Sequence, residues 1–252
     1  MIAEVSEHTC RAQTRRIGSP AHWWREGYWS STGDCFDIGN TVSSALRRFE
    51  VSGDPNAGST EAYSAGNGSL MRLSLIPMFY FGRPTEAVDR AGEMSRTTHG
   101  AVEAVDSCRF YSGLIHGALT GASKDRLCAA FWHPYNECWE MAELSPKVEF
   151  IAAGSFKGRS PPDVRGSGYV IDALDAALWA FWTTDDFRQG ALAAANLGDD
   201  ADTTAAIYGQ LAGAYYGLSG IPSEWVASIS MRAEIVRLAE RLGQLPGTAA
   251  RK

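Results

Sequence analysis

Apolar residues recur along most of the chain at helical spacing and almost nowhere with the strict alternation of a half-buried strand. The clearest stripe is Ala101, Val105, Cys108, Ser112, Ile115 and Leu119, at intervals of four, three, four, three and four, ending near Gly121. Ile171, Leu174, Leu178 and Phe181 repeat the period, which puts Tyr169 at a loop-to-helix junction. Thr183-Thr184-Asp185-Asp186 offers capping oxygens for a following helix over 187–195. Pro84 suits the first turn of another. Short helices are expected over 43–49, 124–132 and 137–143, and a last one from Pro222 through Trp225, Met231, Ile235, Leu238 and Leu242 to Gly243. Gly209, Gly213 and Gly217 share one face of a helical run. Glycine there costs about 1 kcal/mol against alanine, so the stripe predicts a very close approach of a neighbouring helix. The expected fold is all-α and single-domain, over residues 22–243, with 1–21 irregular and 244–252 a tail.

The polar interruptions carry the candidate chemistry. Ser31 to Thr41 is a glycine-punctuated loop in which Asp37 reads as an N-cap or turn residue. Ser64-Ala65-Gly66-Asn67-Gly68-Ser69-Leu70-Met71-Arg72 is a glycine-rich turn entering an apolar run. It can present bare backbone N–H groups to phosphate oxygens with Arg72 beside them; an Asn-Gly hairpin is the weaker alternative, since neither flank alternates. His22 to Trp29 is dense in aromatics and reads as a packed satellite cluster rather than a ligand platform. Thr97 or Thr98 can cap the helix after it and put His99 in its first turn, where a histidine usually packs or caps. The long loop between Pro146 and Gly168 has the length of a functional loop. Gly198-Asp199-Asp200-Ala201-Asp202-Thr203-Thr204 packs three carboxylates and two hydroxyls into one turn at a helix start. Capping would need one or two of those acids. Three repel one another unless a cation sits among them, and hard divalent ions take such oxygen ligands.

Composition narrows the field. The chain has 252 residues, 45% hydrophobic, with a formal charge of −6, enough to bury one core and too acidic for non-specific nucleic-acid binding. Five scattered cysteines without C-x-x-C spacing fit free thiols in a reducing, cytoplasmic compartment. No stretch of about 20 apolar residues suits a membrane span, and the N-terminus lacks a signal-peptide core.

Taken in order, Phe36-Asp37-Ile38-Gly39-Asn40-Thr41, the Gly66 to Arg72 turn, Thr98-His99-Gly100, Gly168-Tyr169-Val170 and the Gly198 to Thr203 turn resemble the ADP-ribosylglycohydrolase family, from about residue 22 to about residue 228. The resemblance implies a compact orthogonal helical bundle with two Mg²⁺ or Mn²⁺ ions in a cleft. The reaction it implies is hydrolysis of the bond joining ADP-ribose to a protein side chain or small acceptor. By motif, Asp200, Asp202 and Thr203 would be metal ligands, and Gly66, Asn67, Gly68, Ser69, Met71 and Arg72 would hold the diphosphate. Asp37, with Asn40 beside it, would be the carboxylate at the reacting ribose, and His99 and Tyr169 would line the cleft. Family members also carry an N-terminal Gly-Asp-Ala-type motif and a Thr-Asp-Asp-Thr cluster; neither occurs before residue 22, and Thr184-Asp185-Asp186 falls at the wrong place to replace it. Impaired metal binding is therefore expected, and an inactive ADP-ribose-binding or structural member is the alternative. The expected partner is an ADP-ribosylated protein or an ADP-ribose-containing small molecule, met by a monomer.

Overall fold

The computed structural model describes residues 20–136, 138–141 and 143–244, so the expectations for residues 1–19 and for the tail past 244 lie outside the described residues. No strand occurs among the described residues, and extended pairing is confined to isolated bridges between Ser59 and His99 and between Gly66 and Tyr169. The chain is all-α, as the 3.6-residue period predicts. In order the helices are α1 (20–26), α2 (Asn40–Ser52), α3 (Gly68–Met71), α4 (Leu75–Phe79), α5 (Pro84–Arg96), α6 (Val102–Leu119) and α7 (Lys124–Leu127). They continue as α8 (Cys138–Met141), α9 (Pro146–Ala152), α10 (Val170–Thr183), α11 (Phe187–Ala195), α12 (Ala201–Tyr216), α13 (Ser223–Ser228) and α14 (Arg232–Gly243).

Helix α6 is the axle. Ala104, Cys108, Tyr111, Leu114 and Ile115 are buried, and α4, α5, α10 and α12 all pack on it. Small residues let neighbours approach from several sides: a Cβ on Gly117 would stand 2.2 Å from the Trp132 ring. Two hydroxyls that enter this core find carbonyls on adjoining helices, while Ser107 Oγ is buried without a partner among the described residues. Tyr111 Oη donates to Ile207 O at 2.6 Å and Ser112 Oγ to Ala87 O at 3.0 Å, so burial orphans neither of these two.

The glycine stripe of α12 is a correction. Gly209 and Gly213 have open space where a Cβ would stand, and Gly217 is the left-handed residue (φ 70°) that ends the helix. Close approach occurs instead at Gly190 of α11, where a Cβ would lie 2.1 Å from the Tyr208 hydroxyl. That hydroxyl donates to Asp186 O and Phe187 O at 3.3 and 3.2 Å, which ties α12 to the start of α11. Asp186 caps α11 as its sequence suggests, accepting from Gln189 N at 2.7 Å. The segment from Pro146, expected as loop, opens with helix α9, and helix bounds differ from expectation elsewhere. The helix expected over 124–132 stops at Leu127, and the final one is split where Met231 takes φ 57° between α13 and α14.

A smaller lobe is formed by α1 and α2. Trp24, Ile38, Val42 and Phe49 pack around the buried Ala45, Leu46 and Ala57, apart from the main core. Among the described residues no helix is long and apolar enough to cross a membrane, and Cys35, Cys108, Cys128 and Cys138 are free thiols.

Candidate active-site cleft

Three segments far apart in sequence are stitched together around Asn67. Its backbone N–H donates to Gly168 O at 3.0 Å, and its side-chain amide donates to Ser167 O at 3.2 Å and to Asp200 Oδ2 at 2.7 Å. Asp200 N in turn donates to Gly166 O at 2.7 Å. The glycine-rich turn, the end of the long loop and the acidic turn are therefore one junction. The loop is itself held from behind, where Arg159 Nη1 donates to Asp175 Oδ2 at 2.6 Å. Burial raises the Asp175 carboxyl above its usual range, and the Arg159 charge opposes that shift.

Behind the junction, Arg72 donates to Gly68 O at 2.8 Å and to Thr98 Oγ1, and Thr98 Oγ1 meets His99 Nδ1 at 2.8 Å. The Thr98 hydroxyl thus links the Arg72 guanidinium to the His99 ring and fixes the orientation of the imidazole. The ring fits because Gly66 and Gly68 lack side chains: a Cβ on either would stand 3.3 Å from Nε2. Burial lowers the Arg72 guanidinium to about 10, and burial together with the Arg72 charge drives His99 down to about 3. His99 thus stays neutral where an exposed imidazole, with its ordinary value of 6.5, would charge.

The sign of the consequence is fixed. Between pH 6.5 and about 3 the unfolded chain binds a proton at His99 that the folded chain refuses, so this contribution is complete above 6.5 and is lost as pH falls. Denaturant titrations across that window should show wild-type stability dropping with a slope approaching about 1.4 kcal/mol per pH unit from this group. His99→Gln should flatten it; an unchanged slope would mean the ring is solvated.

These elements enclose a cleft of about 630 Å³. Of the residues singled out by sequence, Asp37, Asn40, Gly66, Asn67, Gly68, Met71, Arg72, His99, Asp200 and Thr203 line it. The matching family model, described as ADP-ribosylglycohydrolase, covers residues 4–251. The chain belongs to the ADP-ribosylglycohydrolase family. An ADP-ribosylarginine hydrolase Tri1 from Pseudomonas putida (strain GB-1) is 40% identical over 220 residues, which are 87% of this chain and 57% of that protein. An ADP-ribosyl-[dinitrogen reductase] glycohydrolase from Rhodospirillum rubrum is 29% identical over 199 residues, covering 79% of this chain and 62% of that one. This chain therefore spans less than two thirds of these relatives. A solved ADP-ribosylglycohydrolase-related protein complex superposes with a TM-score of 0.76 at 36% identity, over 95% of this chain and 74% of that one.

Three of the residues singled out by sequence stand outside this lining. Ser69 is fully buried behind the turn, accepting from Ser95 Oγ at 2.9 Å and Cys108 Sγ at 3.5 Å, so it braces the turn and does not line the cleft. Tyr169 lies outside the lining; its hydroxyl donates to Glu103 and accepts from Lys147 Nζ at 2.7 Å. Asp202 is exposed and also outside the lining. His99, expected in the first turn of α6, stands before it, since Ala101 is the N-cap. The aromatic stretch after residue 20 is misread as packing alone: Trp24 does pack, but Trp23, Tyr28 and Trp29 line the cleft.

Among the described residues the acidic turn supplies part of a metal shell. Asp200, Asp202 and Thr203 offer three oxygen-bearing side chains where Mg²⁺ wants about six ligands. Asp200 Oδ2 is already an acceptor for Asn67, and Asp199 and Asp202 face solvent, which relieves the charge crowding that suggested a cation. Among the described residues no group of three His, Cys, Asp or Glu side chains converges as a metal would require.

Proposed function

We propose that the cleft binds ADP-ribose and that the chain serves in hydrolysis of the N-glycosidic bond joining ADP-ribose to an arginine side chain. The observation that carries this reading is the Asn67–Asp200–Gly166 junction, which brings a backbone-rich turn, a neutral imidazole and two carboxylates to one cavity. The arginine acceptor is taken from the named activity of the Pseudomonas relative.

In this reading the diphosphate lies along the Gly66–Arg72 turn. Its oxygens lie beside the neutral His99 ring, and Arg72 supplies the positive field from behind. Asp37 takes the proton of the attacking water as the water oxygen bonds to the anomeric carbon, and its charge favours the oxocarbenium-like transition state. The C–N bond breaks toward the guanidine nitrogen, a strong base, which takes up by way of solvent the proton that the water gave to Asp37 and so returns Asp37 to its charged form. Asp200, Asp202 and Thr203 would contribute ligands to a Mg²⁺ or Mn²⁺ ion, as part of its shell.

That partial donor set also favours a second reading, an ADP-ribose-binding module without turnover. Incubation with ADP-ribosylated arginine and Mg²⁺, followed by chromatography of released ADP-ribose, separates the two. Release above the spontaneous rate, abolished in Asp37→Asn, is the expected result. Calorimetric binding of ADP-ribose with no release would leave the module, and no binding of either compound would end both readings.

A further inference from the structure

We infer that Trp23, Tyr28 and Trp29, standing on the same lobe as Asp37, form the pocket for the acceptor side chain and select a cationic guanidinium over a neutral acceptor. The inference rests on the ADP-ribose reading above.

Three aromatic side chains line the cleft from one short stretch, and they are not spent on packing: Tyr28 is 50% and Trp29 37% exposed. Their rings meet edge to face, centroids 5.9 Å apart and planes at 89°. Exposed aromatic faces of this size are costly in water unless something covers them.

The loop that presents them is built, not slack. Gly27 takes φ 64° and a Cβ there would stand 1.8 Å from Gly33 O, so only glycine lets the loop close. Ser30 Oγ and Thr32 Oγ1 both donate to Asp34 O, at 2.6 and 3.1 Å, and Ser30 N donates to Gly27 O at 2.8 Å. This closure holds Trp29 at φ 63°, a left-handed conformation that a bulky residue seldom adopts. Asp37 also takes a left-handed φ, of 48°. Such strain persists where surrounding structure enforces it.

The wall and the carboxylate share one rigid support. Trp24 packs against Ile38 and Val42 in the small core, while Trp23 beside it and Ile38 itself reach the cleft. Asp37 precedes Ile38 directly. The charge on this side is complementary to a cation. The positive side chain among the cleft-lining residues is Arg72, which is engaged by Gly68 O and Thr98 and belongs to the glycine-rich turn. A guanidinium stacks on aromatic faces through its planar, delocalised charge; a serine or other neutral acceptor does not. The same lobe already shows the preference, with the Arg25 guanidinium 3.6 Å over the Trp24 ring.

The test is calorimetric titration of the full chain with free ADP-ribose, ADP-ribosyl-agmatine and an ADP-ribosyl-serine peptide, with ligand integrity checked by mass spectrometry. Wild type should bind the agmatine conjugate roughly 5- to 30-fold more tightly than the serine conjugate. A Tyr28→Leu, Trp29→Leu double variant should bring that ratio close to one, and Tyr28→Phe with Trp29→Phe should restore it. A ratio that survives the leucine variant overturns the inference. So does a loss of free ADP-ribose affinity as large as the loss for the agmatine conjugate, which would assign the wall to adenine while leaving the site reading intact. A wild-type chain that binds no ADP-ribose at all overturns the site reading, and the inference with it.

Discussion

Asn67→Asp should be the most damaging isosteric change in the molecule, costing about 2–4 kcal/mol of stability at pH 7 and weakening ADP-ribose binding roughly tenfold or more. The substitution removes an amide that donates to Asp200 Oδ2 at 2.7 Å and to Ser167 O at 3.2 Å, and sets a second carboxylate against both acceptors. Asn67 is only 7% exposed, so water cannot screen the repulsion well. The two carboxylates would share a proton, raising one folded-state pKa above its unfolded value. By linkage, a group whose folded pKa is raised contributes stability at low pH and loses it as pH rises through that value. The gap between variant and wild type should therefore narrow as pH is lowered from 7 toward 5 in urea titrations. A gap independent of pH would show that the two side chains do not face each other.

Gly190→Ala is the second large effect and acts far from the cleft. Its new methyl group would stand 2.1 Å from the Tyr208 hydroxyl and 2.3 Å from the ring carbon bearing it, so the side chain cannot swing clear without losing its bonds to Asp186 O and Phe187 O. Overpacking of this kind costs about 1–3 kcal/mol, which for a chain of this size lowers Tm by about 2–12 °C in calorimetry. Gly209→Ala is the control: with open space around it, alanine should be neutral or slightly stabilising through helix propensity. Equal effects at the two positions would contradict the packing described for α11 and α12.

The contrast between those glycines marks the limit of sequence periodicity. An interval of four places residues on one helix face, and both α6 and α10 bury the stripes their spacing predicts. Periodicity does not say which face meets a neighbour. Gly190 carries the contact because Tyr208, eighteen positions on, points at it from the next helix, and no local pattern encodes that. The aromatic stretch fails for a related reason. Trp23 and Trp24 are adjacent and chemically alike, yet on α1 they point in different directions, one to the cleft and one into the small core.

By itself, the sequence determined the all-α class, the main helices and the turns that meet in the cleft, because helical period and glycine or aspartate chemistry are properties of a few consecutive residues. Ten of the residues that the sequence motifs and the family resemblance singled out also line the cleft. Only the tertiary structure decided that Asn67 is the amide holding Asp200, that Ser69 braces and Tyr169 and Asp202 stand outside, and that Trp23, Tyr28 and Trp29 form a wall. Those facts depend on contacts between segments separated by up to 133 positions, and such contacts are set by how helices pack.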